Sequence, residues 1–320
     1  MNTRYRQQPL DLTKLNTVSL YSRGGKVATT DFAKPYQKGS GIPGLLDSLP
    51  RILAGDTFRH VVAAVAKAKA AGKPVIWGMG GHVVKCGLAP VLIDLMRRGF
   101  ATAFAMNGST SIHDFEIALA GYTSEDVEAV LPDGRFGSAE ETGREMNLAI
   151  NAGAADQLGM GEALGRALDG LAQPEHAANS MVLQAWRAKV PVTVHVAVGT
   201  DTPHTHPAAD GAAIGNCTHR DFRLFCSIVS ELNDGGVYLN AGSAVVLPEV
   251  FLKAVSAVRN LGLPLAGFTT VNLDFLQHYR PKVNVVERPH AQAGGKGYAL
   301  TGHHELMLPL LAAALIESEP

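Results

Sequence analysis

A chain of 320 residues with 46% hydrophobic and 18% charged residues has the composition of a globular protein, long enough for one large α/β domain. Its formal net charge of -1 provides no basic field for nucleic acid or an anionic membrane. The three scattered cysteines are too few for a disulfide framework and favour a reducing cytoplasm. No signal-like start or run of ~18 apolar residues is present, so we expect a soluble, unprocessed protein.

The chain begins with a polar segment and then becomes periodic. Glycines and prolines interrupt residues 1–50, which predicts an extended N-terminal arm with a short helix near its end, of the kind that often reaches a neighbouring subunit. Residues 51–320 are expected to form one domain. An alanine-rich run from Asp56 to Ala71 has the apolar spacing of a helix, and Gly72 ends it.

A βαβ unit follows, from Pro74 to Gly121. An apolar strand (Val75 to Trp77) leads into a turn with three glycines, an amphipathic helix, a second strand (Thr102 to Met106) and a second glycine turn. Backbone N–H groups in such a turn can approach a phosphate closely, because glycine has no side chain.

The remaining chain alternates helices and strands. Residues 122–137 have few apolar positions and read as a surface excursion. Helices are predicted at 142–152, 161–171, 180–188, 220–232, 248–261 and 305–316; strands at 191–198, 237–242, 265–271 and 282–287; polar or glycine-rich loops at 199–216 and 289–302. This alternation predicts an α/β fold: a Rossmann-like open parallel sheet with helices on both faces.

Three stretches resemble the deoxyhypusine synthase family, in particular its bacterial deoxyhypusine-synthase-like branch. They are GGHVVKCGLAPVLIDLMRRGFATAFAMNGSTSIHDFEIALAG, ADGAAIG at 209–215 and LPLLAAALIE near the end of the chain. The resemblance implies a Rossmann-like fold, NAD as cofactor and a homotetramer with active sites between paired subunits. It also implies transfer of an aminobutyl group from spermidine to an amine acceptor, either a protein lysine or a free diamine.

The resemblance assigns NAD to three places: the turn with Gly78, Gly80, Gly81 and His82, the turn with Asn107, Gly108 and Ser109, and the pair Asp210 and Gly211. The residues themselves give independent support, because turns after the first two strands of such a sheet lie side by side. The spacing departs from G-x-G-x-x-G, since position 83 is Val.

The family's chemistry needs a neutral lysine that carries the transferred group as an imine. By resemblance this residue is Lys296, in the run Gly294-Gly295-Lys296-Gly297. The Trp and Glu that accompany the family's lysine are absent here. The alternative is an exposed lysine on a flexible glycine loop.

Substrate-binding residues are expected after the second glycine turn and in the predicted helix 248–261. His113 and Asp114 are the predicted cleft-facing residues of their helix, and Glu249 is a predicted ammonium acceptor where the family's histidine is missing. Asn216 stands in the place of a further carboxylate. Fewer acids indicate a ligand less cationic than spermidine, or a changed reaction.

Histidines supply the remaining hypotheses. His204 or His206 is the predicted general base on an acceptor amine, with solvated loop histidines as the alternative. A metal-dependent hydrolase built around His204, His206 and His303 is the less favoured rival, because the spacing is not H-E-x-x-H, and we assign no metal. A noncatalytic NAD- or polyamine-binding homologue is the other rival.

Overall fold

The structure, a computed structural model, describes residues 4–319. Within them, six parallel strands form one sheet in the order β3-β2-β1-β4-β5-β6. The predicted α/β fold with an open parallel sheet is therefore confirmed. The strands are Val75–Met79 (β1), Ala103–Asn107 (β2), Val192–His195 (β3), Val237–Ala241 (β4), Thr269–Asp274 (β5) and Lys296–Thr301 (β6).

Twelve α-helices accompany the sheet in the described chain. They are Gly41–Ser48 (α1), Leu53–Ala70 (α2), His82–Lys85 (α3), Ala89–Arg97 (α4), Gly108–Ala120 (α5), Val127–Val130 (α6), Glu140–Ala155 (α7), Met160–Leu171 (α8), Met181–Ala188 (α9), Gly211–Ser230 (α10), Val246–Asn260 (α11) and His304–Ile316 (α12). None of the helices within residues 4–319 has both the length and the hydropathy to cross a bilayer.

The sheet is covered on both faces, as β1 shows. Trp77 and Met79 point into a large core shared with α2, α4 and α12, whereas Ile76 points into a second core shared with α10 and α11. Gly78 faces this second core, where a Cβ would lie 2.3 Å from the Tyr238 hydroxyl oxygen. The strand order reverses between β1 and β4, and ligands of such sheets bind at the carboxyl ends of the strands at this point.

Three predicted elements are wrong near the end of the chain. The predicted strand at 282–287 is a π-helical segment, Pro281–Glu287, and β6 lies within the predicted glycine-rich loop. The strand predicted at 265–271 is displaced to Thr269–Asp274, where it pairs with β4 and β6. Helix α10 begins at Gly211, so the last part of the predicted polar loop is helical.

The predicted arm is mostly exposed between residues 4 and 40, and the short helix near its end is α1. Two backbone hydrogen bonds join residues 31–34 of the arm to residues 48–51. Lys34 N–H donates to the Ser48 carbonyl, and Arg51 N–H donates to the Asp31 carbonyl. Residues 1–3 of the predicted arm and Pro320 of the predicted domain lie outside the described residues. The division at residue 50 stays a prediction.

A buried carboxylate on α10 makes the fold sensitive to pH. Asp221 Oδ2 accepts the backbone N–H groups of Val194 (2.7 Å) and Gly161 (2.9 Å), which joins α10 to β3 and α8. Burial raises the pKa of Asp221 to about 7, although these hydrogen bonds act in the opposite direction. The folded protein therefore holds this proton above the unfolded pKa of 3.8, and stability is lost as pH rises from about 4 through 7.

We expect Asp221→Asn to remove this dependence, because the amide stays neutral. Both proteins are unfolded in urea at pH 5 and at pH 8. The free energy of unfolding of the variant minus that of the unsubstituted protein should be larger at pH 8 than at pH 5. Asp169→Asn, at an exposed ion pair with Arg187, is the control and should show no such change. A constant difference between Asp221→Asn and the unsubstituted protein at the two pH values would contradict the prediction.

Candidate functional site

The loops after β1 and β4 meet at the carboxyl edge of the sheet, which is the edge where the parallel strands end. Gly80 N–H donates to the Ala241 carbonyl at 2.9 Å, one residue beyond the strand ladder. A Cβ on Gly80 would lie 2.2 Å from the Gly242 carbonyl oxygen, so only glycine fits. The first glycine turn is thus held against the switch point by backbone contacts.

The two glycine turns also touch one another. A Cβ on Gly81 would lie 2.3 Å from Ser109 Oγ and 3.1 Å from the His113 ring. The turns after β1 and β2 therefore lie side by side, as predicted. Gly78 is a correction: it belongs to β1, buried in the sheet, and its missing side chain makes room for Tyr238 rather than for a cofactor.

The turn after β2 opens helix α5. Asn107 Oδ1 accepts hydrogen bonds from the Thr110 N–H (2.9 Å) and hydroxyl (2.7 Å), which caps the helix. Gly108 is covered by the Asp201 carboxylate, since a Cβ there would lie 2.0 Å from Oδ2. The helix start therefore carries a side-chain carboxylate from the loop that follows β3.

A cavity of about 190 Å³ opens beside these turns. We call it the amine pocket, after the ligand that we propose for it below. It is lined by Lys85, Ser109, Ile112, His113, Glu116, Ser124, Glu125, Val127, Phe136, Thr200, Asp201 and Thr202. Three of these residues are carboxylates that come from α5, from the segment 122–137 and from the loop after β3. The pocket therefore combines acidic groups with one lysine and one imidazole.

The acidic groups of the amine pocket differ in their hydrogen bonding. Burial alone would raise the pKa of Glu116, but hydrogen bonds with His113, Thr123 and Thr142 outweigh it and lower the pKa. Asp201 Oδ2 is buried and has no hydrogen-bond partner within the described residues, and burial raises its pKa to about 6. Asp201 is therefore the carboxylate with unused capacity for a donor.

His113 lies at the amine pocket, as the sequence led us to expect. Its Nδ1 is 2.7 Å from Thr123 Oγ1 and 3.8 Å from Glu116 Oε2, so the ring is oriented by neighbours. Its contribution to ligand binding remains a proposal.

Asp114 does not face the cleft, which corrects the second prediction on α5. It is fully buried and accepts hydrogen bonds from the Ser180 hydroxyl (2.6 Å), Met181 N–H (2.6 Å) and Val182 N–H (3.0 Å). It therefore binds the beginning of α9. Burial raises its pKa to about 6 against these bonds.

Glu249, the predicted ammonium acceptor, is paired with groups of the protein itself, and its role as an acceptor stays a prediction. Its carboxylate contacts Lys253, Arg280 (3.2 Å) and the Asn284 amide (2.9 Å), all from the protein itself. These partners lie on α11 and near the π-helical segment, and Glu249 does not line the amine pocket.

The two loop histidines stabilise the segment after β3. His206 Nε2 is 3.3 Å from Glu140 Oε2, and the ring packs where a Cβ on Gly143 would lie. His204 Nδ1 accepts the Gly199 N–H at 3.3 Å, and burial lowers its pKa. Neither lines the amine pocket, so the prediction of a general base there is not supported by their position.

Lys296 lies at the edge of the sheet opposite to the glycine turns, and its predicted catalytic role stays a prediction. It is the first residue of β6 and pairs with Thr269, the first residue of β5, so it marks the amino edge. The carboxyl edge is about 17 Å away, at roughly 3.3 Å per residue over five residues. Within one chain, the exposed Lys296 cannot carry a group bound near the glycine turns.

Asp210 and Gly211 begin helix α10. Asp210 Oδ1 accepts the Ala212 N–H at 2.8 Å as an exposed cap, and a Cβ on Gly211 would meet open space. The pair borders the carboxyl edge beside β3, two strands away from β1. Its predicted contact with a cofactor remains a proposal.

A buried imidazole lies near the switch point. His304 is 1% exposed, and neither ring nitrogen has a hydrogen-bond partner within the described residues. Its Nε2 lies 2.8 Å from where a Cβ on Gly242 would be, and 3.9 Å from Asp274 Oδ1. Unsatisfied buried nitrogens beside a glycine turn fit a site that receives a polar group of a ligand.

The metal-dependent hydrolase predicted as a rival is not supported. His204 and His206 lie beside β3, whereas His303 stacks on Phe275 after β5. In residues 4–319 the group of side chains that could hold a metal contains none of the three: it consists of His82, Cys86 and Glu305.

The sequence analysis did not single out Lys85, which lines the amine pocket. The signal for it in the sequence was its place in the first helix after β1.

Comparisons with known proteins place the fold. No family model matches the chain, and no curated protein matches it either. The solved structures that match include AgrE in ternary complex with ornithine and NAD+, with 16% identity and a TM-score of 0.50 over 84% of this chain and 34% of that chain. The chain thus spans about a third of the AgrE length.

Two further matches have TM-scores of 0.49. One is a conserved protein of Methanococcus maripaludis S2 provisionally named LOR/SDH, with 15% identity over 83% of this chain and 70% of that chain. The other, from Entamoeba histolytica, carries the provisional name deoxyhypusine synthase, with 11% identity over 89% and 96% of the two chains. A protein named for the family that the sequence resembles is thus among the solved structures that match. At 16% identity, the similarity to AgrE concerns the fold alone.

Proposed function

We propose that the protein is an NAD-dependent transferase that moves an aminoalkyl group from a polyamine-like donor to an amine acceptor. The observation that carries the proposal is the amine pocket, where Asp201 offers an unpartnered carboxylate oxygen next to the glycine turns. An ammonium group is the natural partner for such an oxygen, because a buried carboxylate without a donor or cation is costly.

The cofactor belongs to the carboxyl edge on this proposal. Gly80, Gly81 and His82 after β1, with Asn107, Gly108 and Ser109 after β2, would hold NAD beside the switch point, and the unpartnered nitrogens of His304 support a polar ligand there. When bound, NAD supplies reversible hydride acceptance at the carbon next to the donor nitrogen. AgrE, which shares the fold, has been solved with ornithine and NAD+.

The residues of the amine pocket have separate parts in this scheme. Asp201 and Glu125 would hold the ammonium groups of the donor, and His113, oriented by Thr123, would exchange a proton with an acceptor amine through its other ring nitrogen. Lys85 is the lysine that lines the pocket, so within one chain we propose it as the imine carrier in place of Lys296. Its side chain is exposed, so the bound donor and cofactor would have to cover it for its amine to react in the neutral form. A homo-oligomer also remains a proposal, supported by exposed apolar side chains of the arm such as Leu10 and Tyr21.

Binding of amine and cofactor can be measured separately. We expect calorimetric titration to show NAD binding, and spermidine, putrescine or ornithine to bind with an affinity that falls as pH drops through about 6, where Asp201 takes up a proton. Asp201→Asn should weaken amine binding at least about tenfold and abolish this pH dependence, because one charged hydrogen bond is lost. Asp133→Asn, an exposed acid paired with Arg135, is the control.

Chemistry is tested by trapping with borohydride in the presence of NAD and the donor amine. The expected adduct is on Lys85, and it should be absent in Lys85→Arg and retained in Lys296→Arg. Binding of both ligands without any adduct or transferred product would favour the noncatalytic homologue. Absence of NAD binding would overturn the proposal altogether.

A further inference from the structure

Three potential metal ligands meet on the carboxyl edge outside the amine pocket. One ligand atom each from His82, Cys86 and Glu305 lies within 4.8 Å of the other two. His82 and Cys86 are four residues apart around α3, so their side chains leave the same face. Glu305, in the first turn of α12, comes from 219 residues beyond Cys86. The fold therefore assembles the cluster from two distant segments.

The ligand types and spacing suit zinc. Imidazole, thiolate and carboxylate are all zinc ligands, and bonds of 2.0–2.3 Å in a tetrahedron separate the ligand atoms by roughly 3.4–3.6 Å. Cys86 Sγ and Glu305 Oε2 are already 3.7 Å apart. His82 is exposed and can complete the site by a side-chain rotation.

Neighbouring groups contact two of the three ligands, Glu305 and His82. Glu305 Oε1 lies 3.9 Å from His303 Nδ1, while Glu305 Oε2 faces Cys86. The His303 ring stacks on Phe275, which also contacts the His82 ring at 6.3 Å between centroids. Such outer partners orient ligands in metal sites.

From this geometry we infer that His82, Cys86 and Glu305 bind a zinc ion with its fourth coordination position open to solvent. None of the three lines the amine pocket, so the zinc site can be tested without the proposed transferase. His82 also belongs to the proposed NAD turn, so zinc on its ring would compete with a direct contact between that ring and NAD. A zinc ion here would lie beside the switch point, since the His82 and His304 rings are 5.9 Å apart.

Cobalt titration of the chelator-treated, reduced full chain tests the site without NAD. We expect one Co²⁺ per chain with a thiolate-to-cobalt charge-transfer band, and displacement of the cobalt by Zn²⁺. Cys86→Ser should abolish the band and weaken binding at least about 100-fold, more than loss of an outer partner does. Cys226→Ser, at another half-buried cysteine, is the matched control and should change neither.

Glu305→Gln provides a second variant in case Cys86→Ser fails to fold, which circular dichroism would show. It should keep the band but bind cobalt at least about tenfold more weakly. No band in the unsubstituted protein, a band retained in folded Cys86→Ser, or an unchanged affinity in Glu305→Gln would each overturn the three-ligand site. Failure to bind NAD would leave these outcomes unaffected.

Discussion

Gly80→Ala is expected to abolish NAD binding and to lower the free energy of unfolding by about 3 kcal/mol. The added Cβ would lie 2.2 Å from the Gly242 carbonyl oxygen, and both groups belong to backbone that is fixed by the sheet. Relief therefore requires the loops after β1 and β4 to separate, which breaks the hydrogen bond from Gly80 N–H to Ala241. Urea unfolding and calorimetric titration with NAD measure the two effects.

Gly211→Ala is the matched control for the effect of this substitution on stability. A Cβ on Gly211 meets no atom within 4 Å, and the residue opens a long helix in which alanine is favoured. We expect stability to be unchanged or raised by a few tenths of a kcal/mol. Equal losses in both variants would show that the contact between Gly80 and Gly242 is not the cause.

Asp114→Ala should destabilise the fold by about 3 kcal/mol, because it leaves a hydroxyl and two backbone N–H groups at the start of α9 without their acceptor. The site is fully buried, so these donors can be satisfied again only if a water molecule enters the space that the carboxylate leaves. Chemical denaturation at pH 7 measures the loss.

A second substitution at this position, Asp114→Asn, separates a structural role from a ligand-binding role. If Asp114 bound the amine, as its place after the second glycine turn led us to expect, Asp114→Asn would weaken amine binding. From its contacts with Ser180 and α9 we expect the folded Asn variant to bind amines normally and to lose only stability. Weaker amine binding at unchanged stability would contradict this.

Apolar spacing and composition were sufficient for most of the fold. The βαβ unit and the final helix fall where apolar spacing predicts them, and helices α7, α8 and α9 fall where composition and the Gly and Pro breaks predict them. The segment 281–287 misled because its valines favour strands, whereas Val285 packs into the second core and Asn284 bonds to Glu249 from a helical backbone. Strand β6 contains a glycine, follows two more and lies at the sheet edge, so its sequence resembles a loop.

The site was less predictable, for reasons of orientation. Adjacent turns follow from topology, which is why Gly81 and Ser109 could be expected together. The edge on which Lys296 lies depends on where β6 begins, and that was missed. Asp114 is buried by Ser180, 66 residues away, and Asp201 reaches Gly108 from another loop. The local spacing of residues does not predict such long-range contacts.

Hydrogen bonds that continue past the strand ends have a mechanical consequence. Gly80 bonds to Ala241, Gly242 to Leu273 and Gly302 to Asp274, so the loops after β1, β4 and β6 are fastened to the neighbouring strands. These bonds oppose separation of the strands at the carboxyl edge. We therefore expect a ligand that binds there to shift residues 122–137 and 196–210, which contribute to the amine pocket, rather than to part the two halves of the sheet.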